Sequence, residues 1–102
     1  GVYNSGTLLI EKSTLTNNTT HWGGSGGGIH NSGTLTIVSS VVSGNSPRGS
    51  GGGIFNSGTA TIDSCTISQN HPEGSGGGLS NTGTLTIVKS AISANLATGA
   101  GG

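Results

Sequence analysis

Apolar side chains in this chain recur two residues apart inside short runs, with hydroxyls between them. Thr34-Leu35-Thr36-Ile37 and Thr84-Leu85-Thr86-Ile87 are the clearest cases. A period of two marks a half-buried strand, and no stretch shows the spacing of an amphipathic helix. Asn-Ser-Gly at 31–33 and 56–58, and Asn-Thr-Gly at 81–83, break the runs with turn chemistry. The whole pattern then repeats. Gly28, Gly53 and Gly78 open GIHNSGTLTIVSSVVSGN, GIFNSGTATIDSCTISQN and GLSNTGTLTIVKSAISAN, and a looser copy starts at Gly1.

The repeats divide the chain into units 1–27, 28–52, 53–77 and 78–102; the first carries two extra residues in the loop before Gly28. Aligned, they give four apolar columns: Val2, Ile29, Ile54, Leu79; Leu8, Leu35, Ala60, Leu85; Ile10, Ile37, Ile62, Ile87; and Leu15, Val42, Ile67, Ile92. About four apolar side chains cannot make a core alone. Units stacked about 4.8 Å apart merge their columns into one and let each backbone pair with the next. The fold class expected is therefore all-β, a parallel β-helix of four coils with three short strands per coil. A flatter left-handed solenoid would need a hexapeptide period, which is absent.

Polar columns agree with this stacking. Asn4, Asn31, Asn56 and Asn81 align, as do Asn18, Asn45, Asn70 and Asn95, so amides one coil apart can bond along the stack. Cys65 falls in a column with Ser13, Ser40 and Ser90, which makes it a small inward residue rather than a reactive thiol.

Composition narrows the function. Of 102 residues 22 are Gly, 28% are hydrophobic, 6% are charged and the net charge is zero. An ordinary globular core has more apolar residues, and a solvated disordered chain has more charge. Without a basic surplus, nucleic acid is not an expected partner. No apolar run is long enough for membrane insertion, and one cysteine excludes an internal disulfide. The chain has no initiator Met and no capping repeat, so it is expected to be a segment of a longer protein or a unit whose ends stack on other copies.

Gly-Gly-Gly-Ile at 26–29 and 51–54 and Gly-Gly-Gly-Leu at 76–79 form one recurring motif, and Leu15-Thr-Asn-Asn18, Val42-Ser-Gly-Asn45, Ile67-Ser-Gln-Asn70 and Ile92-Ser-Ala-Asn95 form a second. With these motifs the array resembles right-handed parallel β-helices of the pectate-lyase-like group. More narrowly, it resembles the passenger repeats of polymorphic outer-membrane proteins and bacterial adhesins, with an aliphatic residue where those repeats carry Phe. The resemblance implies a bacterial protein, extracellular or at the cell surface. The periodic Asp of calcium-binding glycine-rich solenoids is missing, and no cofactor or metal is expected.

Candidate chemistry is sparse. The acids are Glu11, Asp63 and Glu73, and Glu11 and Asp63 fall in one column two coils apart, with Val38 between them. Their backbones would lie about 9–10 Å apart, near the spacing of an inverting glycosidase pair. Two isolated surface charges explain them better, so no catalytic residue is assigned. His21, His30 and His71 do not align as the three or four ligands of a zinc site.

The contact residues expected are Trp22 and His21 in the enlarged loop, the outward column Tyr3, His30 and Phe55, and the loop pair Arg48 and Glu73. A second surface is the outward array Thr34, Thr36, Thr59, Thr61, Thr84 and Thr86, which resembles the ice-binding face of some antifreeze solenoids. The expected function is structural or adhesive and non-enzymatic. Its expected partner is a second copy stacked end to end, with carbohydrate or a cell-surface protein as further partners.

Overall fold

Every coil folds as three short strands separated by corners, because each alternating run is only three to five residues long before a turn residue ends it. The computed structural model describes residues 1–20, 24–97 and 99. The first coil holds β1 (Val2–Asn4), β2 (Thr7–Glu11) and β3 (Thr14–Thr16). The second holds β4 (Ile29–Asn31), β5 (Thr34–Val38) and β6 (Val41–Ser43). The third holds β7 (Ile54–Asn56), β8 (Thr59–Asp63) and β9 (Thr66–Ser68), and the fourth β10 (Leu79–Asn81), β11 (Thr84–Val88) and β12 (Ala91–Ser93).

Equivalent strands pair in parallel, giving three four-stranded sheets in the orders β1-β4-β7-β10, β2-β5-β8-β11 and β3-β6-β9-β12. The register follows the repeat: Val2 pairs with Ile29, Ile10 with Ile37, Ile37 with Ile62, and Ile62 with Ile87. The four-coil parallel β-helix expected from the sequence is the fold observed.

Side chains of the apolar columns fill the space between the three sheets. Ile29, Ile37, Val42, Ile54, Ile62 and Ile67 are fully buried, and Leu35 and Ala60 nearly so. Each fully buried aliphatic side chain contributes roughly 1.5–3 kcal/mol. Coil-to-coil bonding continues through the loops, where Gly26 N–H donates to Ser50 O and Gly51 N–H to Ser75 O, both at 2.9 Å. Gly33 shows why a turn glycine recurs: a Cβ there would collide with the carbonyl oxygen of Gly6, one coil away.

Besides Gly26, Gly51 and Gly76, which lead into the next coil at φ of 71°, 69° and 66°, two corners of each coil lie in the left-handed region. Between the second and third strands it is Lys12, Ser39, Ser64 and Lys89, with φ of 49°, 49°, 56° and 48°. After the third strand it is Asn17, Gly44, Gln69 and Ala94, with φ from 53° to 66°. A non-glycine residue loses about 1–2 kcal/mol there, a cost the pairing on both sides of the corner offsets.

Candidate binding surface

Two buried amide ladders fix the loops from which any contact surface projects. Asn4 Nδ2 donates to Asn31 Oδ1 at 2.8 Å, Asn31 to Asn56 at 2.7 Å, and Asn56 to Asn81 at 2.7 Å. In the second ladder Asn18 donates to Asn45 at 3.0 Å, Asn45 to Asn70 at 2.9 Å and Asn70 to Asn95 at 2.9 Å. All six bonds point toward the fourth coil. Side bonds to the backbone hold the amide planes of the interior coils: Asn31 Nδ2 also donates to Thr59 O at 3.1 Å, and Asn70 Nδ2 to Val42 O at 3.1 Å. Asn31, Asn45, Asn56 and Asn70 are fully buried, and no described buried side-chain polar atom lacks a partner.

Tyr3, His30 and Phe55 stack outward along the axis as the column alignment predicts. Successive ring centroids lie 4.9 Å apart with tilts of 34° and 39°. His30 Nδ1 lies 3.3 Å from Ser25 O, which ties the central ring to the neighbouring loop. Tyr3 is 69% exposed and stands beside an open cleft of about 510 Å³, whose walls include Thr20, Ser25 and His30. His21 and Trp22, the enlarged-loop contacts expected from the sequence, lie outside the described residues. Arg48 and Glu73 come from loops in register, with Glu73 N–H donating to Pro47 O at 3.0 Å.

The outward face of the β2-β5-β8-β11 sheet carries the threonines. Thr34, Thr59 and Thr84 pair in one row, and Thr36, Thr61 and Thr86 in the next. Thr7 extends the first row into β2, while Leu9 heads the second. Glu11, Val38, Asp63 and Val88 form the row beyond the inward isoleucines, so the two acids are separated by a full strand. The Asp63 carboxylate accepts a bond from its neighbour Ser64 Oγ at 2.8 Å. His30 in β4 and His71, whose N–H donates to Asn45 O in the loop after β9, belong to different parts of the coil.

The family model for the right-handed beta helix region matches residues 1–101. The chain belongs to that family. Neither the curated proteins nor the solved structures compared with it gave a match.

In this β-helix, columns became surfaces wherever the repeat copied a residue type. Cys65 is 3% exposed, and its Sγ lies 3.2 Å from Asp63 O and 3.5 Å from Ile37 O, so the thiol is packed as a serine surrogate. The cleft beside Tyr3 was not foreseen. Among the described residues it is lined by 1–3, Thr20, 24–27 and His30, beside the loop whose length departs from the repeat, where no column exists to align. Thr20 is its organising side chain: the hydroxyl donates to Gly24 O at 2.7 Å and accepts from Arg48 N–H at 3.2 Å. Among the described residues, no helix is long and apolar enough to cross a membrane.

Proposed function

We propose that this β-helix is a non-catalytic structural module of an extracellular or cell-surface assembly, and that copies of it stack end to end. One observation carries the reading. Ile62 and Ile67 in the third coil are fully buried beneath the in-register Ile87 and Ile92 of the fourth, so each coil is closed by the coil laid on it. Every coil is therefore a template on which an in-register coil can be laid, through its apolar columns and its strand edges alike.

A second copy supplies such a coil, because its first coil carries the same columns in Val2, Leu8, Ile10 and Leu15. Zero net charge leaves little repulsion between like chains. The neutral, hydroxyl-rich surface and the resemblance to adhesin repeats support a place outside the cell. Sedimentation velocity and electron microscopy of the 102-residue chain test the proposal. Elongated species that grow with concentration are expected, and Ile92→Lys should return them to single copies while the β circular-dichroism signal is kept. Monodisperse small particles at every concentration would overturn it.

A further inference from the structure

We propose that the threonine face of the β2-β5-β8-β11 sheet is an ice-binding surface, with crystalline water as its ligand. The inference goes beyond the structural role above and does not depend on end-to-end stacking.

The argument begins with spacing. Register places Thr7, Thr34, Thr59 and Thr84 in one row and Thr36, Thr61 and Thr86 in a second, parallel row. Along a row the side chains repeat at the strand separation, about 4.8 Å; across rows they are two residues apart, about 6.6 Å. The oxygen rows on a prism face of ordinary ice repeat in two perpendicular directions at spacings close to these.

Availability is the second point. None of these seven hydroxyls bonds to another group of the protein among the described residues; the threonine hydroxyl that does so is Thr20, on another side of the coil. A hydroxyl without an internal partner is saturated by water, so the face imposes its own geometry on the first water layer. Rigidity is the third. Threonine is stiff at χ1, and the inward residues Leu35, Ile37, Ala60 and Ile62 behind the central strands are buried. The array therefore loses little conformational entropy on meeting a solid lattice.

Charge is the fourth. Neither row contains Lys, Arg, Asp or Glu; Glu11 and Asp63 stand in the next row, and Lys12 and Lys89 at the corners beyond. Small soluble ligands are held by concave sites with convergent polar groups. A regular outward-facing array of hydroxyls and methyls instead fits a ligand that is itself an extended lattice.

Thermal hysteresis and inhibition of ice recrystallisation, measured on the 102-residue chain, test the proposal. A gap between melting and freezing, with faceted crystals, is expected. Thr61→Lys should abolish both effects with the circular-dichroism spectrum and melting temperature kept, whereas Ser93→Lys on the exposed third-sheet face should leave them intact. A folded wild-type chain without either effect would overturn the assignment, as would equal loss in the Ser93 variant. Retention on crystalline polysaccharide without any effect on ice would also overturn it, by assigning the face to another lattice. If Thr61→Lys fails to fold, Thr84→Lys in the exposed last coil gives the same reading.

Discussion

Asn56 is satisfied on every side: its amide donates to Asn81 Oδ1, Gly58 O and Thr84 O, and its Oδ1 accepts from Asn31. Replacing it with Ala strips partners from several buried groups at once, and each orphaned group costs about 1–3 kcal/mol. Asn56→Ala is therefore expected to lower stability by about 3 kcal/mol or more in chemical unfolding. Asn81→Ala, at the exposed end of the same ladder, should cost clearly less. The corner residues carry the opposite opportunity. Ser39 and Gln69 are held at φ of 49° and 55°, so Ser39→Gly and Gln69→Gly should each raise the unfolding free energy, by about 0.5–1 kcal/mol in chemical unfolding. Cys65→Ser should keep the fold to within about 1 kcal/mol, since the column already holds serines. Its thiol should react with a disulfide reagent only when the chain unfolds.

At the scale of the element, coil contact rather than strand propensity decides what a position tolerates. Gly6 and Gly33 occupy the same column, yet a Cβ on Gly6 meets nothing within 4 Å while one on Gly33 strikes Gly6 O. Gly33→Ala is expected to cost about 2 kcal/mol or more, and Gly6→Ala to stay within about 0.5 kcal/mol, by the same unfolding measurement. Strand positions, pairing register, inward columns and both amide ladders were legible in the sequence, because identical residues one repeat apart become neighbours in space. The left-handed corners were not. Lys12, Ser39, Ser64 and Lys89 share no side-chain chemistry that announces a positive φ, and only Gly44 and Asn17 in the second corner hint at one. The cleft beside Tyr3 escaped for the opposite reason, since it depends on the single loop that departs from the repeat. The aromatic stack and the threonine rows were legible as positions, but the absence of internal bonds at the threonine hydroxyls needed coordinates.

For the whole molecule, the distinction between interior and end coils gives a paired prediction. Ile62→Asp buries a carboxylate among Ile37, Ile87 and their neighbours and should abolish folding, as read by circular dichroism. Ile87→Asp, at the exposed end of the same column, should leave a folded chain that no longer associates in the ultracentrifuge. The one-way run of the six asparagine bonds then has a consequence for any fibre built from these coils. One tip would offer amide hydrogens and the other amide oxygens, so copies joining through these ladders could add only in head-to-tail orientation. Such a contact never closes into a symmetric pair. The fibre would carry a built-in arrow, with two tips that lengthen at different speeds, and a fragment matched to one tip would halt growth there while leaving the other free.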